Sequence, residues 1–404
     1  MVEPGFMNLL SGPMPQQADA EAKLSGTKSQ TSADYPVVKA MDLSKGAGNM
    51  ITVDMFNPLQ GKPTMGDKRI QGRLMSLTFS SMDVTINQAR AGADSGGKMT
   101  QQRTVWNLRG ISMAGLKSHA MRYEDQLTLI HMAGARGSQS NVDWVVPTAD
   151  DAEFAEICIN PVVPPTKNRH FYAADATGLA SLDNTDVLTL SDVDRLATVL
   201  SDSVVPLQAV KVKGDVYAWN DPLWVMFVTE RQWLYLQTRT GEKAWRTFIQ
   251  NAYERRSNGM RHPLFYGDCG MWRRILIRPI NRMAIRFAAG EVVTVGADDT
   301  VAAAPTTTTA TCAVATDRAI IVGAQALIKA YGKHHSSDYH YSWFEEEADH
   351  CNTVEMSYAM MQGVKKARFR MKTATGVDEW VDYGVAVCDS YAPDPNSAAG
   401  KALL

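Results

Sequence analysis

The sequence is short of cysteine, of net charge and of long apolar runs. Its five cysteines, Cys158, Cys269, Cys312, Cys351 and Cys388, are odd in number, no two are closer than 37 residues, and no CxxC occurs. That spacing argues against a secreted disulfide framework and against a zinc knuckle. No apolar stretch approaches the roughly 18 residues a membrane span requires. The opening MVEPGFMNLLSGPMPQQ lacks the basic-then-apolar order of a signal peptide. These absences lead us to expect a soluble protein, made in a reducing compartment and without a membrane partner. With 41 basic and 43 acidic residues the formal charge is −2, so the basic excess of a dedicated DNA binder is missing. A protein of this charge that lives beside nucleic acid encloses it rather than grips it. No internal repeat is visible, which argues against solenoids and propellers.

What is present is globular. The chain has 404 residues, 45% of them apolar, with nine Trp and 21 Met, enough for two or three lobes around a shared core. Residues 1 to about 50 are rich in Gly, Pro, Ser, Gln and Lys and show no period. They read as a disordered tail, or as an arm that gains order only against a neighbour. The pattern sharpens at residue 73. Met75, Leu77 and Phe79 alternate with polar residues, then Met82, Val84 and Ile86 do the same. Two half-buried strands with almost no turn between them predict a β-hairpin or one long bent strand. Such a ribbon is marginal in water alone, and little nearby sequence offers to cover its apolar face. The Gly-rich stretch 91–98 then reads as a flexible loop.

A helical stripe follows from about residue 100 to 135: Trp106, Met113, Leu116, Ala120, Tyr123, Leu127 and Ile130. Gly110 and Gly115 predict a bend or break in it. A further helix is expected near 191–202, a buried strand at 223–228, and a helix carrying Trp245, Phe248, Ile249 and Ala252 on one face. Strands are expected at 271–278, 283–287 and 317–322, with a final one at 383–388. The Thr/Ala-rich segment 302–311 reads as an exposed loop.

Chemistry is harder to find. Gly92-Ala-Asp-Ser-Gly-Gly-Lys98 fits the first seven positions of a phosphate-cradling loop, G-x-x-x-x-G-K-[ST], but Met99 stands where the Mg²⁺-ligating hydroxyl belongs. Glu230, after the apolar run, is the companion catalytic acid such a site would use. A nucleotide-binding hydrolase built on 92–98 is thus the alternative reading of the chain. His334, His335, His340 and His350 lie near Glu345, Glu346, Glu347, Asp349 and Cys351, yet no H-x-x-x-H spacing occurs, so a solvated acidic turn is the simpler reading. There is no G-x-S-x-G elbow. Arg274, Arg278, Arg282 and Arg286 recur every four residues in an apolar stretch. On one extended strand they would share a face and offer bidentate partners to carboxylates of an adjoining subunit. Pro279 would interrupt that ladder, and solvated charge is the plainer alternative.

Several blocks together carry a resemblance. They are Gly66-Asp-Lys through Gln71-Gly-Arg, Met99-Thr-Gln-Gln-Arg103 with Leu129-Ile-His-Met-Ala-Gly134, and Pro222-Leu-Trp-Val-Met-Phe-Val-Thr. Asn251-Ala-Tyr-Glu-Arg-Arg and His262-Pro-Leu-Phe-Tyr-Gly follow. The last run from Gly323-Ala-Gln-Ala-Leu through Trp343-Phe-Glu-Glu-Glu-Ala-Asp349 and Gly363-Val-Lys-Lys-Ala-Arg-Phe to Asp382-Tyr-Gly-Val-Ala-Val. In this order, from about residue 50 to 391, the chain resembles the major capsid proteins of tailed bacteriophages, in the branch found in N4-like podophages. Residues 1–50 and the loop 289–316 have no counterpart in that pattern.

The resemblance implies an α+β fold shared with herpesvirus shell floors. Its parts would be an N-terminal arm (1–68), an E-loop β-hairpin (69–98), a peripheral domain with a long spine helix (99–205), an axial domain (206–349), and a return to the peripheral domain with the C-terminus (350–404). It implies a structural protein of the virion, assembled in the host cytoplasm, with no enzymatic activity and no cofactor. Hexamers and pentamers of the chain would close an icosahedral shell around double-stranded DNA, without sequence-specific binding. A separate scaffolding protein, a portal protein at one vertex and an optional decoration or cement protein would be the partners. The candidate inter-subunit contacts are Met75, Leu77, Phe79, Met82, Val84 and Ile86 on the ribbon, with Arg274, Arg278, Arg282 and Arg286.

Overall fold

Most strands gather into two large sheets that share a core with one long helix. The computed structural model describes residues 10–13, 35–40, 48–56, 62–74, 79–203, 205–211, 223–257, 263–280, 282–301, 303–333, 340–372 and 377–404. The chain opens with strands β1 (Ser11–Pro13), β2 (Val37–Ala40), β3 (Met50–Phe56), β4 (Phe79–Thr85) and β5 (Asn87–Gly97). Helices α1 (Lys98–Arg103), α2 (Leu108–Ala133) and α3 (Phe154–Ile157) follow, then β6 (His170–Tyr172) and α4 (Leu190–Asp202). The middle holds β7 (Trp224–Thr229), α5 (Glu230–Arg239), α6 (Glu242–Ser257), β8 (Gly270–Trp272), β9 (Ile275–Ile280) and β10 (Arg286–Phe287). Strands β11 (Val292–Asp298), β12 (Thr306–Thr311), β13 (Thr316–Val322), β14 (Leu327–Tyr331), β15 (Tyr341–Ala348) and β16 (Thr353–Lys366) come next. The chain finishes with β17 (Arg368–Lys372), β18 (Asp378–Asp382), β19 (Val385–Tyr391) and α7 (Ala398–Leu403).

The first sheet runs β1-β2-β14-β16-β15, with β5 on the other side of β16. Its 14-residue strand β16 puts Met356, Tyr358, Met360 and Val364 into one cluster with Leu116, Ala120, Tyr123, Leu127 and Ile130 of α2. The helical stripe is therefore the face that meets this sheet, as its spacing predicts. Asn107 caps α2 by accepting from the Gly110 N–H, and Gly134 closes it in the left-handed region at φ 68°. A Cβ on Gly134 would stand 2.5 Å from the Val163 carbonyl oxygen, so glycine is required there. The expected break lies at residues 104–107, before α2, and Gly110 and Gly115 sit inside the helix. Trp106 precedes the helix and is exposed, so it is not part of the buried stripe.

The second sheet runs β6-β19-β13-β7-β9-β8, with β10 beside β13. Every residue of β7, β13 and β19 is buried. Alternate side chains go to opposite cores. Val225, Phe227, Ile320, Val322, Val385 and Val387 join the core shared with α2, whereas Trp224, Met226, Val228, Ala319, Ile321, Ala386 and Cys388 meet α4 and α6. Burial on both faces is why the 223–228 run reads as unbroken apolar sequence.

Five expectations change. Residues 35–40 are not a tail: β2 lies in the first sheet, parallel to β14 with Val38 opposite Ile328, and Val38 is fully buried. Four residues carry too little period to be heard. Of the two ribbon alternatives the described part is a single strand, since β4 runs unbroken from Phe79 to Thr85; it pairs with β3 (Val53↔Met82, Phe56↔Phe79), while β5 pairs with β16, so 69–98 is not one self-paired hairpin. The stretch 91–97 is therefore strand, not flexible loop, with Ala89, Ala91 and Ala93 packed inward in alternation. The final strand β19 joins the second sheet rather than the one carrying α2, and β14 and β15 join the first, so divisions at 205/206 and 349/350 cut across both sheets. Finally, 302–311 is largely the strand β12, where β-branched threonines pair with β11.

The dependence of the first sheet on its N-terminal strand is testable. Val38→Asp places an unpaired carboxylate in a dry core and should cost about 3 kcal/mol or more. Chemical denaturation of the subunit measures it. A variant as stable as the parent would mean that β2 is not part of the fold.

Candidate inter-subunit surfaces

The β3–β4 hairpin is half anchored and half free. Ile51, Val53, Met82 and Val84 turn inward onto Ile328, Ala330, Ala367, Phe369 and Met371 of the same chain. Met82 and Val84 are thus covered by their own subunit, which corrects the expectation that the ribbon needs a foreign surface. Ile86 is half-buried beside the same cluster. The covering residues lie more than 200 positions away in sequence, beyond the reach of any local pattern. Met75 and Leu77 lie outside the described residues.

Beyond the Phe56–Phe79 pair the described residues 62–74 are almost all exposed. Phe79 is 66% exposed, and Met65, Ile70 and Leu74 are 70%, 62% and 74% exposed. Gly66 and Gly72 turn the chain with positive φ, and a Cβ added at either would touch nothing within 4 Å. Lys62, Lys68, Arg69 and Arg73 outnumber Asp67, so the described part of this projection is cationic as well as apolar.

A second surface has the opposite character. Edge strand β15 exposes Trp343, Phe344, Glu346 and Glu347. Its Glu345 accepts both Nε and Nη2 of Arg109 at 2.5 and 2.8 Å, tying the strand to the N-terminal turn of α2. Near the start of the long helix, Met99, Val105, Trp106 and Ile111 are also exposed. Sequence reading passed over β15 as a solvated acidic turn, although its aromatic-acidic composition was in view.

The four arginines do not form one face. Arg274 is exposed in the turn before β9, Arg278 is half-buried within it, and Arg282 lies beyond it at φ 66°, exposed and 3.8 Å from Asp143. Arg286 is already paired within its own subunit. Its Nε and Nη2 donate to Asp317 at 2.7 and 3.0 Å. The chain turns after Ile280, which ends the extended spacing the row depends on.

Three buried carboxylates fix the frame that carries these surfaces. Asp317 holds Arg286 and the Thr229 hydroxyl. Asp382 accepts Arg368 Nε at 2.7 Å, lies 2.8 Å from Lys366 Nζ, and accepts the Thr166 N–H at 3.1 Å. Asp389 accepts Arg318 through both oxygens at 2.7 Å and meets His170 Nε2 at 2.7 Å. Arg318 Nη1 also donates to the Ala133 carbonyl at the end of α2. Burial alone would raise the Asp389 carboxyl, but Arg318 and then His170 more than offset it and hold it well below the usual carboxylate range.

The candidate chemistry read from the sequence is not assembled among the described residues. Gly92, Ala93, Asp94 and Gly97 pair along β16, and the Gly96 N–H donates to Asp94 Oδ1, so this backbone is spent on a bulged strand rather than a phosphate cradle. Among the described residues no His, Cys, Asp and Glu group is placed to hold a metal ion, and His334 and His335 lie outside them. A cavity of about 390 Å³ between β5, α2 and β16 is lined by His119, His131, Cys158 and Gln362, among others. Burial pushes the Cys158 thiol up to about 12, while burial, with Lys366 and Lys365 near, pushes His131 down to about 3. Neither is an activated nucleophile or base near neutral pH. No described helix is long and apolar enough to cross a membrane.

Comparison with known proteins points one way. A family model described as phage capsid protein matches residues 4–394. The capsid of Ralstonia phage GP4 superposes with a TM-score of 0.72 at 25% identity, over 91% of this chain and 90% of that one. The cyanophage Pam1 capsid gives 0.58 at 16% identity over 94% and 95%, and the head of Helicobacter pylori bacteriophage KHP40 gives 0.56 at 12% over 93% of each. No curated protein sequence matches the chain.

Two measurements test the buried frame. Arg318→Met leaves a buried carboxylate short of its main partner and should cost about 3–5 kcal/mol; a loss below about 1 kcal/mol would remove the tie from the account. His131 stays neutral in the fold while the unfolded chain takes up a proton near pH 6.5, so stability should fall as pH drops from 6.5 towards 3. The limiting slope for that one proton is about 1.4 kcal/mol per pH unit. His131→Gln should flatten the pH profile of the subunit's denaturation midpoint, and an unchanged profile would place the acid sensitivity elsewhere.

Proposed function

This chain belongs to the phage capsid protein family, and we propose that its projecting hairpin is the clasp by which one copy holds the next. It is a major capsid protein, a structural and not a catalytic component of the virion, and it has the tailed-phage capsid fold and assembles into a multi-subunit shell. The ordered sequence blocks support placement in the N4-like podophage branch.

In the vocabulary of that fold, we assign the E-loop to the hairpin Met50–Thr85 rather than to 69–98. The first sheet with α2 is the peripheral domain and the second sheet with α4, α5 and α6 is the axial domain. The observation that carries the clasp is the exposure of Met65, Ile70, Leu74 and Phe79 on a cationic projection whose base is locked into its own subunit. A neighbouring copy offers a complementary surface in β15, where Trp343 and Phe344 supply apolar area and Glu346 and Glu347 supply negative charge. Of the arginines, Arg274, Arg278 and Arg282 remain candidates for contacts between copies, whereas Arg286 serves its own fold.

Copies of such a clasp generate rings, and rings of five and six close an icosahedral shell. Each contact is weak, and repetition over many copies makes the shell stable. Near-neutral charge suits a container, since a strongly basic wall would trap the double-stranded DNA moving in. A separate scaffolding protein, a portal at one vertex and a decoration or cement protein complete the proposed set of partners. The shell reading is tested by electron microscopy of the purified chain with and without its scaffold.

The clasp itself predicts a separation of folding from assembly. Lys68→Glu with Arg69→Glu reverses charge on two exposed residues. The double variant should keep the parent's thermal midpoint and lose closed particles. Normal particles from it would contradict the charge complementarity.

A further inference from the structure

Strand β12 ends its sheet without protection. It pairs only with β11 among the named strands, from Thr306↔Asp298 to Thr311↔Val292. All five threonines of Thr306-Thr-Thr-Thr-Ala-Thr311 are exposed. Among the described residues no backbone hydrogen bond joins Thr306–Thr311 to any other segment. The companion strand β11 is packed on one face at Gly296, where a Cβ would stand 2.6 Å from the Pro165 carbonyl oxygen.

Other sheet ends in the chain are blunted in the ways that stop strands from adding to them. Strands β1, β6 and β8 are three residues long. Strand β15 carries Glu345, Glu346 and Glu347, β17 carries Arg368, Arg370 and Lys372, and β18 carries Asp378, Glu379 and Asp382. Strand β5 carries Arg90 and Asp94, and its register shifts between Thr353 and Glu355 of its partner. The hairpin strands β3 and β4 carry Asp54 and Asp83. Strand β12 has six residues, about 20 Å of ladder, with no charge, no proline, no glycine and no bulge except at its first pair. An edge of that kind persists when it has a partner.

We propose that β12 is a docking edge for a second copy of this chain, the two β12 strands pairing antiparallel across a two-fold axis. Strand addition through main-chain hydrogen bonds needs only an open ladder on each side, and here both sides are the same. Self-pairing sets threonine against threonine, a favourable cross-strand combination, and brings no like charges together. Closed shells of identical copies supply two-fold relations between rings. The pairing rests on the chain's being a shell subunit and adds a contact between rings to the clasp within them.

Charge complementation distinguishes self-pairing from any other use of the edge. Thr308 lies mid-strand, so its counterpart in the partner strand is directly opposite or diagonal to it in any central register. Thr308→Lys and Thr308→Glu should each fold with the parent's thermal midpoint and each lose particles, while the two variants co-expressed should regain them. Hydrogen exchange on parent particles should show alternate amides of Thr306–Thr311 slowed relative to the free subunit. Particles from either single variant at parental yield, or amides that exchange equally fast in particle and subunit, would overturn the proposal while leaving the shell intact. Failure of the mixture to regain particles would also overturn it, by assigning the edge to a different element or a different protein.

Discussion

The Arg318 guanidinium sits where the two halves of the molecule meet. Through Asp389 it joins the neighbouring strands β13 and β19, through that carboxylate it reaches His170 of β6, and through the Ala133 carbonyl it holds the end of the long helix. Four elements from distant parts of the sequence are thereby set at fixed angles. A buried ion pair adds little net stability against an apolar alternative, but it tolerates few geometries. Asp382 repeats the arrangement between β16, β17 and the segment at Thr166. The second tie thereby fixes β17, whose Phe369 and Met371 lie under the base of the β3–β4 hairpin.

That frame divides the molecule by exposure. The inner half of α2, from Tyr123 to Ala133, is buried all round, whereas its outer turns carry exposed Ile111 and follow exposed Trp106. The hairpin shows the same gradient, buried at Val53 and Val84 and exposed at Phe79 and beyond. Large apolar side chains left exposed together, as Met65, Ile70 and Leu74 are, mark surface suited to a partner. Binding that surface orders a loop at an entropic cost, so a single contact is modest and the lattice supplies the rest.

Much of the regular structure was legible because burial writes a period into sequence. The α2 stripe, the amphipathic α4, and the unbroken β7, β13 and β19 each sit where their patterns imply. What escaped were pairings between distant segments. Nothing around Val84 announces Phe369, and nothing around Val38 announces Ile328. Met82 and Val84 were correctly read as an apolar face, and only the identity of its cover was wrong. Arginine spacing misled because it assumes one continuous strand, while the chain turns after Ile280. The threonine run reads as loop on composition, yet β-branched residues beside a willing partner strand form a ladder.

Family membership was legible from ordered blocks spread over the chain, even though no single block identifies it. The surfaces that act between copies are harder to read, because their partners are other molecules and leave no complementary segment nearby. The most direct measurement is a residue-resolution electron cryomicroscopy map of assembled particles. The account predicts Lys62–Leu74 lying on a neighbouring copy, over an unchanged subunit body. A closed shell in which that segment folds back on its own subunit, or points into solvent, would contradict it.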